Sequence, residues 1–184
     1  MNCAEEAGIK PDMIVGDMDS VEEARLSKYP AESIIRHPAD KDYTDTELAM
    51  RLAQDRGCSE IWIIGGGGGR LDHLLGIRAL FERDVFPARW ITDKEDIYCI
   101  DSMKNEQLAM SNEQALLRSG KEMLVSVFPL GDGPWKAKSA GLKWPLDNLN
   151  WFRGFFGLSN IALDGKFIIT AEQGRFMVIF NKII

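Results

Sequence analysis

The chain has 184 residues, 45% hydrophobic and 27% charged, which supplies a packed core and argues against disorder. Its 22 basic and 28 acidic residues leave a formal charge of −6, which disfavours a sequence-independent grip on nucleic acid. No stretch approaches the ~20 apolar residues of a membrane helix, and Met1-Asn2-Cys3-Ala4-Glu5-Glu6 lacks the layout of a signal peptide.

The first half alternates short apolar runs with helical patterns. The opening, Ala4 through Gly8, reads as the tail of a helix, so the first strand of this domain is expected to be missing. Asp12-Met13-Ile14-Val15 predicts a strand, and Ser20 through Lys28 a helix capped by Ser20 and stopped before Pro30. Ser33-Ile34-Ile35-Arg36 predicts the next strand. Thr44 through Arg56 predicts a helix, because Thr44 and Glu47 can form a capping box and Leu48 and Leu52 share a face. Glu60-Ile61-Trp62-Ile63-Ile64 is apolar enough for a strand covered on both faces. Five glycines follow, then a helix from about Leu71 to Arg83 with Leu74, Ile77 and Phe81 on one side. Strand, loop and helix in repetition predict an α/β domain with a largely parallel sheet.

Near residue 94 the pattern changes. Asp96 through Ile100, Met123 through Phe128, Lys166 through Thr170 and Arg175 through Phe180 all predict strands, separated by turn residues such as Gly131-Asp132-Gly133-Pro134. The second half is therefore expected to be an all-β, sandwich-like domain, giving domains 1–93 and 94–184. Ser111 through Ser119 suits a helix by its own pattern and a strand pair by its neighbours.

Three scattered cysteines form neither a disulfide framework nor a zinc site and suggest reduced thiols in the cytoplasm. With only His37 and His73 present, a metal here must be held by carboxylates, which points to a hard ion such as Mg²⁺. Gly16-Asp17-Met18-Asp19-Ser20 directly follows a predicted strand, where ligands of open α/β sheets gather. Asp17 and Asp19 can face one point there, and a divalent cation relieves their repulsion. The same residues also suit an ordinary turn with Ser20 capping the next helix.

Asp40-Lys41-Asp42-Tyr43-Thr44-Asp45-Thr46-Glu47 is a second acidic cluster after a predicted strand. Acidic residues in a first helical turn complement the helix dipole whether or not they bind anything. The topology nevertheless opens this loop on the same sheet edge as Asp17 and Asp19, so Asp45 can complete a Mg²⁺ site. Lys41 can meet a phosphate there as a point charge.

Gly65 through Gly69, then Arg70-Leu71-Asp72-His73, link a strand to a helix, where bare backbone N–H groups and the helix dipole favour an anion. Glycine lets the backbone approach a polyphosphate closely. No Gly-Lys-Ser/Thr ends this loop, so it is not a P-loop. Arg70 can grip phosphate with its fork of donors, and Asp72 can accept a proton or orient a hydroxyl. A plain glycine connector is the alternative, at a high cost in backbone entropy. In the second half, Trp135, Trp144 and Trp151 are near one another in sequence and could make an aromatic shelf for a cationic ring, or simply pack in a core.

These motifs together resemble the thiamin pyrophosphokinase family. The resemblance rests on Gly16-Asp17-Met18-Asp19-Ser20, Asp42-Tyr43-Thr44-Asp45 and Gly65 through His73, followed by Gly141-Leu142-Lys143-Trp144 and Ser159-Asn160, and it runs over nearly the whole chain. It implies a catalytic α/β domain, a thiamine-binding β-sandwich, and a homodimer with its site at the subunit interface. It also implies transfer of pyrophosphate from ATP to the thiamine hydroxyl, with Mg²⁺, giving thiamine diphosphate and AMP. Carried onto this chain, Asp17, Asp19 and Asp45 would hold Mg²⁺. Ser20, Thr44, Gly66, Gly67, Gly68, Gly69 and Arg70 would bind ATP, with Asp72 and Arg70 catalytic. Lys41, which stands where some relatives carry Gln, is a catalytic candidate from its place in the acidic loop instead. Asp72, Trp144, Ser159 and Asn160 would contact thiamine. The alternatives are an inactive thiamine- or nucleotide-binding fragment, and a Mg²⁺-dependent nucleotide-sugar or nucleotidyl transferase using Asp17-x-Asp19.

Overall fold

The computed structural model describes residues 4, 6–19, 21–40, 42–104, 106–111 and 122–182. The chain divides into two compact units, residues 1–59 and 60–184.

In the first unit, β1 (Ile14–Gly16) and β2 (Ile34–Arg36) pair in parallel, with Ile14 opposite Ile34 and Gly16 opposite Arg36. The connection carries α1 (Glu23–Leu26), which is shorter than the predicted helix and begins after Glu22, whose side chain makes no cap. The proposed cap Ser20 lies outside the described residues. Leu26 is buried with Ile14 and Met18, and this small cluster is what the alternation of strand and helix encodes here. Next comes α2 (Asp45–Asp55), whose predicted capping box is present. The Thr44 hydroxyl accepts from the Glu47 N–H at 3.3 Å, while Glu47 Oε2 accepts from the Thr44 N–H at 2.8 Å.

The second unit opens with β3 (Trp62–Ile64), α3 (Leu71–Leu80) and β4 (Arg89–Ile91), and β3 and β4 also pair in parallel. These strands join β5 (Glu95–Asp101), β7 (Leu124–Leu130), β9 (Gly157–Ile161) and β11 (Arg175–Asn181) in one six-stranded sheet of order β3-β4-β5-β11-β7-β9. A three-stranded sheet holds β6 (Gln107–Ser111), β10 (Lys166–Gln173) and β8 (Lys136–Ala140) in the order β6-β10-β8. Parallel pairing among the described strands is confined to β1–β2 and β3–β4; every other pair is antiparallel. Residue 93 falls inside the hydrogen-bonded β4–β5 pair, which bridges the two sequence-derived domains.

Alternation sets the core. Phe176, Val178 and Phe180 of β11 face inward with Phe167, Ile169 and Ala171 of β10, so the two sheets share one core. Met177 and Ile179 point the other way, into a second core with Phe81, Trp90, Ile97 and the α3 residues Leu74 and Ile77. The strand β3 departs from expectation: only Ile63 packs inward, and Trp62 and Ile64 are 51% and 73% exposed. It is an edge strand with α3 packed against one face, so its apolar run is not covered on both. The short strands β4, β6, β8 and β9 carry too little apolar periodicity to be read from sequence. The ambiguous segment beyond Ser111 lies outside the described residues. Among the described residues no helix is long and apolar enough to cross a membrane.

Candidate active site

Asp17 follows the last residue of β1, and its Oδ1 accepts the Asp19 N–H at 3.2 Å, forming a tight turn. Met18 sits at φ 65° within that turn and buries its side chain. The parallel partner β2 leads to the loop that ends at Thr44, and Asp45 opens α2. The Asp45 carboxylate reaches back to β1: a Cβ on Gly16 would stand 3.1 Å from its Oδ2 and 3.2 Å from its Cγ. Gly16, the residue before Asp17, therefore makes room for the Asp45 carboxylate. Among the described residues, no three or more His, Cys, Asp and Glu side chains are grouped so as to hold a metal ion. A hard cation that keeps phosphate and water oxygens needs only one or two carboxylates, and the Gly16 cradle fits that smaller donor set. The Thr44 hydroxyl is engaged by Glu47, at 2.9 Å from Oε2. Lys41 and Ser20 lie outside the described residues.

The glycine loop of the second unit has two different halves. Gly65 N–H donates to the Ile91 carbonyl at 2.8 Å, and the buried Trp90 indole donates to the Gly65 carbonyl at 2.6 Å. A Cβ on Gly66 would come within 2.8 Å of Ile77 Cδ1, and one on Gly67 within 2.3 Å of Thr92 Cβ. These glycines are needed for close packing on β4 and α3. Gly68 and Gly69 face open space, with no neighbouring atom within 4 Å of the position a methyl group would take. The open half leads to the N-terminus of α3, where Arg70 occupies the cap position without a side-chain cap bond. Exposed backbone donors and the positive end of the helix dipole thus meet where a polyphosphate could approach.

Arg70 and Asp72 grip each other across this helix start. Arg70 Nε and Nη2 donate to Asp72 Oδ1 and Oδ2 at 3.1 and 2.5 Å, and Asp72 Oδ1 also accepts the His73 N–H at 3.0 Å. Hydrogen bonding to Arg70 holds the Asp72 carboxyl below the usual carboxylate range, and Asp72 raises Arg70 in return. Asp72 is thereby a better acceptor for orienting a hydroxyl than a proton store.

In the β half the three-tryptophan shelf does not form. Trp151 is buried edge-on against Phe155 and Phe176. Trp135 packs on Gly133 and Gly174 and donates to the Leu130 carbonyl at 2.8 Å. Packing demand in the sandwich takes both rings, and Trp144 alone of the three is exposed, at 53%. The Lys143 ammonium stands 4.7 Å from the Trp144 ring centroid, so the indole face already accommodates a cation. Trp144 borders a cavity of about 180 Å³ whose walls include Val125, Val127, Leu146, Leu149 and Phe155, with Asn160 as its polar member. Ser159 sits on β9 at φ 54°, beside a bulge in the β7–β9 pairing, and its N–H donates to Ser126 Oγ at 3.1 Å. Asn160 is buried and bonded to the main chain of Trp144.

The two ends of the chain match two models of one family: the thiamin pyrophosphokinase catalytic domain over residues 1–85, and the thiamin pyrophosphokinase vitamin B1 binding domain over residues 107–175. The chain belongs to the thiamin pyrophosphokinase family. Thiamine pyrophosphokinase of Bacillus subtilis (strain 168) is 30% identical over 145 residues, covering 78% of this chain and 65% of that protein. Thiamine pyrophosphokinase 1 of Oryza sativa subsp. japonica is 26% identical over 174 residues, covering 89% of this chain and 64% of its own length. The chain thus spans just under two thirds of these relatives. A crystal structure of a thiamin pyrophosphokinase family protein from Enterococcus faecalis matches with a TM-score of 0.75 at 23% identity, covering 98% of this chain and 84% of that one, and shows the fold alone.

Four residues not singled out as candidates from the sequence contact the candidate residues: Gly16 lies against Asp45, Trp90 and Thr92 against the glycine loop, and Ser126 against Ser159. Gly16 stood in the quoted motif, next to Asp17. The other three carry no local signal, because their contacts join strands distant in sequence.

Proposed function

We propose that this chain catalyses transfer of pyrophosphate from ATP to the hydroxyl of thiamine, giving thiamine diphosphate and AMP. The observation that carries the reading is the return of the Asp45 carboxylate, from the start of α2, to Gly16, the last residue of β1 and the chain neighbour of Asp17. Asp17 and Asp45 would supply the one or two carboxylates that hold Mg²⁺, with Asp19 left outside that smaller set, and Mg²⁺ when bound would supply charge neutralisation on the polyphosphate.

The reaction asks the protein mainly for alignment and electrostatic stabilisation. In this reading the N–H groups from Gly66 through Gly69 and the α3 N-terminus hold polyphosphate oxygens. Ser20, Thr44 and Lys41 contribute further contacts to the nucleotide. Arg70 releases part of its fork from Asp72 to take a phosphate. Asp72 accepts a hydrogen bond from the thiamine hydroxyl and aims its oxygen at the β-phosphorus. The new P–O bond forms as the bond between the β-phosphorus and the oxygen it shares with the α-phosphate breaks, AMP leaves with that oxygen, and the hydroxyl proton passes to water. Trp144 stacks on the thiamine, with Ser159 beside it and Asn160 in the wall of the adjoining cavity.

The division of labour follows the sequence-derived domains: residues 1–93, an α/β domain, handle ATP and metal, and residues 94–184, a β-sandwich, handle thiamine. A second copy of the chain completes the thiamine site in a cytoplasmic homodimer. The test is an assay of the purified chain with thiamine, ATP and Mg²⁺, following AMP and thiamine diphosphate together. Equal formation of both is expected. Release of a nucleoside diphosphate instead would favour another transferase class, and binding of both substrates without turnover would leave a binding fragment.

A further inference from the structure

Asn160 lies buried in β9, and its side chain behaves like a piece of main chain. Oδ1 accepts the Trp144 N–H at 3.1 Å and the Ile161 N–H at 2.9 Å, while Nδ2 donates to the Trp144 carbonyl at 2.6 Å. One residue earlier in the loop, ordinary backbone pairing does the same work: Lys143 N–H donates to the Ile161 carbonyl at 2.9 Å, and Leu142 bridges antiparallel to Ala162. Pro145, the next residue, has no N–H with which to continue such a ladder. The amide of Asn160 thus extends the pairing to Trp144, where the loop leaves the sheet. Trp144 has a fixed root and a half-exposed ring: its N–H and carbonyl are held by a buried side chain, while its indole borders the cavity near Lys143.

We propose that Asn160 is a positioning residue for thiamine binding, acting by holding the Trp144 main chain so that the indole is set at the cavity before the ligand arrives. A ring fixed in advance loses less freedom on binding. Both acceptor positions used on Oδ1 and the short Nδ2 bond are directed at main chain, which sets Asn160 apart from a residue that reads the ligand itself. The inference rests on the assignment of Trp144 as the stacking residue.

The test is thiamine affinity by calorimetry for the wild-type protein, Asn160→Ala, Asn160→Asp, Trp144→Ala and the double variant Asn160→Ala/Trp144→Ala, with amide hydrogen exchange followed in each. Asn160→Ala should weaken thiamine binding about tenfold, as expected when a buried amide no longer satisfies its partners. It should also speed exchange at the Trp144 amide while β11 stays protected. In the Trp144→Ala background the same change should cost less than about twofold, because coupled residues are not additive. Asn160→Asp keeps the acceptor and loses the donor to the Trp144 carbonyl, and its charge by itself would favour a cationic ligand. Weaker binding in that variant supports the positioning role even if Asn160→Ala fails to fold. Additive losses, or wild-type affinity in the Asn160 variants, would overturn the positioning role and leave Trp144 as assigned. Wild-type affinity in Trp144→Ala would overturn the stacking assignment and the inference with it.

Discussion

The Asp45 carboxylate stands against the Cα of Gly16, close enough that a methyl group there would lie 3.1 Å from Oδ2. The contact joins the start of α2 to the end of β1, so two acidic motifs separated in sequence share one strand edge. Gly16→Ala is expected to displace Asp45, adding strain at a backbone φ of 154°, and to lower kcat at least about tenfold while the fold persists. Steady-state kinetics and circular dichroism on the same sample check this; unchanged kcat would show that the placement of Asp45 is incidental.

Removing the charges themselves should act more strongly. Asp17→Asn and Asp45→Asn are each expected to lower kcat by about 10²–10³, the scale seen for loss of a group that stabilises developing charge. Both carboxylates are at least partly solvent-accessible, so the thermal midpoint should move little. Near-normal turnover in both variants would remove the metal assignment.

The glycine loop predicts a split between stability and affinity. Gly67→Ala drives a methyl into Thr92 and should destabilise the protein by about 1–3 kcal/mol, read as a lower Tm. Gly68→Ala meets open space and should leave Tm alone while raising the KM for ATP. Equal melting of the two variants would contradict the division of the loop into a packed half and an open half.

The Arg70–Asp72 pair sets a pH dependence. Arg70 depresses the Asp72 pKa, so Asp72 stays ionised to lower pH than an ordinary carboxylate and becomes protonated only as pH falls through that lowered value. In Arg70→Gln the Asp72 titration should shift upward, and with it any acid limb of the rate profile that Asp72 controls. Carboxyl NMR titration of Asp72 in both proteins checks the direction. A shift to lower pH would refute it.

The cysteines should differ in reactivity. Burial pushes the Cys99 thiol up to about 12, whereas Cys58 is exposed. Brief treatment with a thiol reagent at neutral pH, followed by peptide mapping, should label Cys58 and leave Cys99 untouched until the protein unfolds. Labelling of Cys99 in the folded protein would contradict its burial.

The sequence by itself determined what depends on near neighbours. The α2 capping box is written in Thr44 and Glu47 because a cap bonds residues three apart, and β10 and β11 are legible because alternation marks an inward face. Residue types and their order likewise identified the acidic turns, the glycine loop and the family. Only the tertiary structure decided contacts between segments far apart in the chain. It packed Gly66 and Gly67 on Ile77 and Thr92, buried Trp151 in the core and laid Trp135 against it while leaving Trp144 at the surface, and gave the amide of Asn160 to the backbone of Trp144. Such choices are settled by volume and hydrogen-bond satisfaction in three dimensions, which local periodicity does not encode.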